Sequence, residues 1–252
     1  MSTDPRLIDY VLRLGDNALV LGQRMLEVVA AYPELEEELA NANFALDYIG
    51  QARLFYSYAC QLEGNGRSED DMAFLRREQE FRNLLLVEQP NGHFGDTIVR
   101  QVLFDVYYLA LLEALKHCKD TGISEIAARA EKEVRYHLRH GAQWLVRLGD
   151  GTEESHDRVQ RSLEQLWRYT GEMFAADELD AYMLSSYDGP DLEAIGEQWR
   201  EQVGAIVAEA TLLLPADQVM TSGGKQGIHT ETFGYLIAEM QSLPRSYPGV
   251  TW

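Results

Sequence analysis

The sequence predicts an all-α protein, on three observations. Helix start and stop signals bracket long segments, no segment alternates apolar and polar residues as a half-buried strand does, and isolated acids recur inside otherwise apolar helical stretches. Asp4 and Pro5 suit the N-cap and first position of a helix reaching to about Ala31. Pro33 opens a second, which ends at Gly64 and carries acids in its first turn, where the helix dipole favours them. A short helix fits "SEDDMAFLRREQEF". "LLLVEQPNGHFGDT" is a break, because Pro90-Asn91-Gly92 is turn chemistry, although "NLLLVE" alone is ambiguous with a strand. A third long helix is expected from about Asp96 to Lys119 and a fourth from about Ser124 to Leu148. Thr152 caps a fifth, "DGPDLEAIGEQWREQVGAIVAEATLLL" reads as a sixth, and a Gly-rich loop leads into a last helix and a Pro-containing tail. No linker separates these elements, so residues 1–252 read as a single domain.

Composition narrows the function classes. With 22 basic against 41 acidic residues the formal charge is −19, which repels nucleic acid and anionic membranes. No apolar run is long enough to span a bilayer, and the N-terminus lacks the basic start and apolar core of a signal peptide. Cys60 and Cys118 form neither a disulfide framework nor a zinc pattern. A cytoplasmic protein with reduced thiols is expected.

The isolated acids carry the chemistry. Asp16, Asp47 and Asp105 are each the sole charge of an apolar stretch, and Glu133 lies in "EKEVRYHLRHGAQW" with His137. A carboxylate buried alone costs several kcal/mol, on the order of its residual desolvation penalty, so each needs a metal, an arginine or a hydrogen-bond network. One acid, then an acid with a second ligand position, twice over, is the layout of a di-iron four-helix bundle, whose signature is Glu-x-x-His. Here the second positions depart from it. Glu133 and His137 are four apart rather than three, and the matching position after Asp47 is Gln51, a poor iron ligand. Tyr48 and Val134 stand at the three-apart positions and cannot replace a bridging carboxylate. The residue chemistry favours a structural core network over a working di-iron centre.

"RLGDNALVLGQR", "LDYIGQAR", "NLLLVEQPNGHFGDTI", "EVRYHLRHGAQWLVRLGDGTEES", "ADELD" and "GGKQGIHTE" together resemble the non-catalytic C subunits of bacterial phenylacetyl-CoA epoxidases, over nearly the whole chain. The resemblance implies a ferritin-like four-helix bundle core with additional helices, and no catalytic residue, metal or cofactor in this chain. It implies a catalytic A subunit holding the di-iron centre, and a reductase subunit passing electrons from NADPH through flavin and an iron–sulfur centre. The substrate implied is phenylacetyl-CoA at a subunit interface, in aerobic phenylacetate degradation. Asp16, Asp47, Tyr48, Gln51, Asp105, Glu133, Val134 and His137 would then be positions of a degenerate metal site. Arg77, Glu78, Gln79 and Glu80, with Glu178, Leu179 and Asp180 of the "DELD" turn, would lie near the acyl-CoA, and Arg76, Arg77 and Arg82 are the cations available to phosphate. The alternative is an autonomous di-iron or di-manganese oxidase or oxygenase with a reduced ligand set. "GGKQG" reads first as a turn and second as a phosphate nest with Lys225. Trp167, Tyr169 and Trp199 are aromatic residues suited to a partner-facing surface.

Overall fold

The computed structural model describes residues 4–31, 34–216 and 218–250, so the expected helix start at Pro33 lies outside the described residues. The described residues form ten α-helices and two short 3₁₀ turns, with no strand among them. They fall into two compact units, Met1–Pro90 with Gly223–Trp252, and Asn91–Ser222.

The first unit is built on α1 (Pro5–Leu26) and α2 (Leu35–Glu63). Asp4 caps α1 by accepting from Arg6 N at 2.9 Å, as Asp4-Pro5 predicts. α1 ends at Leu26 rather than at Ala31, and Val28–Ala31 form turns in which Ala30 adopts a left-handed conformation. Gly64, left-handed at φ +63°, closes α2. The two helices run antiparallel: Tyr56 Oη donates to Asp16 Oδ1 at 2.6 Å, and Asn41 Nδ2 donates to Met25 O at 2.7 Å. α3 (Glu69–Phe74), the 3₁₀ turn Glu78–Glu80 and the irregular stretch through Pro90 lead out of this pair. "NLLLVE" is a buried turn segment. The chain returns to this unit through the 3₁₀ turn Gly224–Gln226 and α10 (Glu231–Ser246).

The second unit repeats the scheme with α4 (Phe94–Leu115) and α5 (Thr121–Gly149). α4 begins earlier than predicted because Asp96 accepts from the N-cap amide, His93 N, at 2.8 Å, and it ends at Leu115 with Lys116 as its C-cap. α5 starts earlier than Ser124 because Asp120 caps it through Ile123 N, at 2.9 Å. This pair is also antiparallel. Ser124 Oγ donates to Lys116 O at 2.6 Å at one end, and Phe94 meets Trp144 edge-to-face, centroids 5.1 Å apart, at the other. α6 (Glu153–Trp167), α7 (Gly171–Phe174), α8 (Glu178–Tyr187) and α9 (Leu192–Glu209) complete the unit. Thr152 caps α6 as expected, whereas "DELD" is the first turn of a helix capped by Asp177 rather than an isolated turn. Trp199 is a correction: it is 2% exposed and donates Nε1–H to Leu103 O at 2.9 Å, so it belongs to the core and not to a partner surface.

α1 and α4 each have 22 residues, and α2 and α5 each have 29. Counted from the first residue of its helix, Asp16 occupies the position of Asp105, Asp47 that of Glu133, Tyr48 that of Val134, and Gln51 that of His137. The chain thus contains one helix-pair scheme twice, each copy carrying half of a ligand set in matching register.

Candidate degenerate metal site

In the first unit Asp16 has no exposed surface. Its partner is Arg76, itself buried, whose guanidinium pairs with both carboxylate oxygens, Nη1 at 3.2 Å from Oδ2 and Nη2 against Oδ1. Tyr56 Oη completes Oδ1, and Arg82 N donates to Oδ2 at 2.8 Å. The rest of the Arg76 fork is used as well: Nε donates to Met72 O at 2.6 Å, Nη1 to Glu80 O at 3.1 Å, and Nη2 to Tyr56 Oη at 3.0 Å. The guanidinium lies over the Phe81 ring, 4.2 Å from its centroid, which supplies a cation–π contact away from water. Burial, the largest single influence, depresses the Arg76 pKa, but the charge and hydrogen bond of Asp16 together with Tyr56 and Glu80 outweigh it and leave the group raised. Burial, then the charge of Asp16, pushes Tyr56 well above its usual value, so its hydroxyl remains a donor. Four hydrogen bonds from protein donors converge on one carboxylate, and its lone pairs are directed at them. Arg76 is therefore committed to Asp16, which removes it from the cations available to phosphate.

The second position of this pair is Asp47-Tyr48-x-x-Gln51. Tyr48 and Gln51 are buried, whereas Asp47 is only half-buried at the edge of the helix face. In the second unit Asp105 and His137 have no exposed surface and Val134 fills the core, but Glu133 is likewise half-buried, with a carboxylate oxygen 3.6 Å from Arg129 Nε. Of the four acids, Asp16 and Asp105 have no exposed surface, while Asp47 and Glu133 are half-buried, with Glu133 close enough for its charge to act on buried Tyr108. One position along a helix rotates a side chain by about 100°, so with Tyr48 and Val134 fully buried the preceding acids keep part of their surface exposed. Burial and the nearby charges of Glu133, Tyr107 and Asp105 push the Tyr108 hydroxyl upward in pKa, so it stays protonated within this unit's polar core.

A di-iron centre does not fit these donors. It needs a bridging carboxylate and a histidine from each second helix, where the chain supplies Tyr48 and Gln51 in one and Val134 and His137 in the other. Asp16 is held by an arginine, and among the described residues no group of three or more His, Cys, Asp and Glu side chains is placed to hold a metal ion. Asp105→Leu removes the carboxylate from a polar setting without exposed surface. It is expected to destabilise the protein by about 1–3 kcal/mol, measured by thermal or urea melting, through the groups it leaves unsatisfied.

The segments expected near acyl-CoA lie in different units. Arg77 is the N-cap of the 3₁₀ turn Glu78–Glu80 after α3, where Glu80 accepts from Arg77 N at 2.7 Å while the Arg77 side chain is exposed. Glu178, Leu179 and Asp180 open α8, where Asp180 accepts from Asp177 N at 3.1 Å. Glu80 thus accepts from the N-cap amide of its turn, and Asp180 closes a capping box with Asp177. The "GGKQG" loop packs onto the first of these segments, with Lys225 buried. A Cβ at Gly224 would fall 2.1 Å from Asn83 O, and one at Gly227 would fall 2.4 Å from Gln79 O on a backbone already at φ +77°, so both positions require glycine. The loop is locked by Glu88, which sequence reasoning did not single out although it is the sole charge of "NLLLVEQPNG", the same mark that Asp16, Asp47 and Asp105 carry. Its buried side chain accepts from Asn83 Nδ2 at 3.0 Å and from Thr230 N at 2.7 Å and lies 2.8 Å from His229 Nδ1. His229 Nε2 lies 3.1 Å from Phe81 O, and its ring packs on Phe233 with centroids 4.1 Å apart.

These features define a class: a helical protein with two matched antiparallel helix pairs, built like a di-iron carboxylate protein but with its ligand positions replaced or engaged by internal partners. A profile described as phenylacetic acid catabolic protein matches residues 1–252. The chain is 48% identical over 247 residues, covering 98% of it and 99% of the relative, to the C subunit of the 1,2-phenylacetyl-CoA epoxidase of Escherichia coli K12. The chain belongs to the phenylacetic acid catabolic protein family.

Proposed function

We propose that this chain is a non-catalytic structural subunit of a multicomponent phenylacetyl-CoA 1,2-epoxidase. It holds the di-iron catalytic subunit in its working shape and contributes residues to the acyl-CoA cleft, in aerobic phenylacetate degradation. The observation that carries this reading is the occupation of Asp16 by Arg76, Tyr56 and Arg82, in a chain that is similar along its whole length to the C subunit of an epoxidase. In such a complex the catalytic subunit supplies the iron and oxygen chemistry, and a reductase subunit supplies electrons from NADPH through flavin and iron–sulfur. Residues 1–252 are read as a single ferritin-like helical domain. A cytoplasmic location accords with the free cysteines Cys60 and Cys118 and with the absence, among the described residues, of any helix long and apolar enough to cross a membrane.

The isolated chain, loaded anaerobically with ferrous iron and desalted, is expected to retain no stoichiometric metal. One or more iron atoms per chain with a di-iron Mössbauer signature would replace this reading with that of an autonomous oxygenase. In the assembled complex His137→Ala is expected to leave turnover intact where the fold survives. Arg77→Glu is expected to weaken acyl-CoA binding by about tenfold, the loss of one charge-assisted contact, as measured by titration of the complex. Unchanged affinity would remove Arg77 from the cleft.

A further inference from the structure

The second helices of the two units bury the same positions and expose different chemistry. Tyr48, Gln51 and Phe55 of α2 correspond to Val134, His137 and Gly141 of α5, and all are buried. The outward positions correspond too: Leu35, Leu39 and Leu46 match Thr121, Glu125 and Lys132, and all are exposed. α5 thus shows an ordinary solvated face. α2 instead presents leucines that are 65%, 56% and 60% exposed, in a line about 16 Å long at 1.5 Å per residue. One exposed leucine needs no explanation, but three on a single helical stripe, where the matched helix has a threonine and two charges, mark a face built to be covered. Beside the stripe, α1, α2 and α3 enclose a groove of about 320 Å³ walled by Leu19, Ile49, Ala52 and Phe74. Its edge carries exposed Asp70 and the Arg53–Glu69 pair at 3.2 Å, and Glu36 flanks the leucines.

We propose that this stripe and groove receive a helix of the di-iron partner subunit, an inference that rests on the function proposed above. The helix places an apolar side chain in the groove and basic residues against Glu36 and Asp70. A second copy of this chain is the poorer occupant, because a pairing of identical faces would bring these acids together on two chains of charge −19 each.

The test transfers the chemistry of α5 onto α2. Leu39→Glu with Leu46→Lys places on α2 the residue types that the matched positions Glu125 and Lys132 already expose, so the fold should be retained, as checked by circular dichroism and melting. Co-expressed with the catalytic subunit, the wild-type chain should co-elute as one complex, and the double variant should bind at least a hundredfold more weakly. The control pair Glu125→Ala with Lys132→Ala should bind as wild type. A folded double variant that binds normally, or binding lost by the control pair alone, overturns the proposal. So does an isolated wild-type chain that dimerises through the leucines while the double variant still joins the catalytic subunit. Failure of the wild-type chain to form any complex would instead overturn the subunit reading itself.

Discussion

Arg76→Met is expected to destabilise the first unit by about 3–5 kcal/mol, the range for removing one half of a buried ion pair. The methionine retains much of the apolar stem and its packing on Phe81 but leaves Asp16 as an uncompensated charge without exposed surface. Tyr56 Oη and Arg82 N still donate to the carboxylate, but neither carries the opposite charge. Adding Asp16→Asn should recover part of the loss, because a neutral amide no longer needs a cation: its oxygen accepts from Arg82 N while its NH2 donates to Tyr56 Oη, whose lone pair Arg76 has vacated. Urea denaturation of the four proteins of this double-mutant cycle gives the coupling directly. A single Arg76→Met variant within about 1 kcal/mol of wild type would mean that the pair does not hold Asp16.

The second large effect is expected at Glu88. Glu88→Leu leaves three donors facing an apolar side chain: Asn83 Nδ2, Thr230 N and the ring nitrogen of His229. Each unsatisfied buried group costs roughly 1–3 kcal/mol, so a loss of at least about 3 kcal/mol is expected. The damage should be local at first. The Gly223–Thr230 loop and the turn around Gln79–Phe81 are held to each other through Glu88 and His229, and hydrogen exchange should rise there before it rises in α1 or α2. Retained protection of the loop in a folded Glu88→Leu protein would place its anchor elsewhere.

Much of the fold was legible in the sequence because its signals are local. Asp4-Pro5, Gly64 and Thr152 each act within one helical turn, and each is found in its predicted role. Boundaries slipped where the N-cap was a residue not read as one: His93 for α4, inside the segment read as a break, and Asp120 for α5. α7 and α8 were missed because both are short, and Asp177, which caps α8, was read as part of a turn. For the site, the demand of a lone buried acid for a partner was readable at Asp16, but the partner was not. Arg76 lies 60 positions away on a segment that reads as a surface of mixed charge, and only tertiary packing selects it over Arg77 and Arg82. The Glu88–His229 contact spans 141 positions and left no periodic trace. The half-burial of Asp47 and Glu133 depends on helix rotation to within one residue, which a periodicity argument does not fix.

The claim that this chain acts by supporting a catalytic partner is tested most directly by turnover of phenylacetyl-CoA in a reconstituted system. The iron-loaded catalytic subunit, the reductase and NADPH are assayed with and without this chain, and this chain is assayed with the reductase alone. The account predicts epoxide formation only when both bundle subunits are present, and none from this chain with the reductase. Full activity of the catalytic subunit in its absence, or oxygen-dependent turnover by this chain without the catalytic subunit, would contradict it.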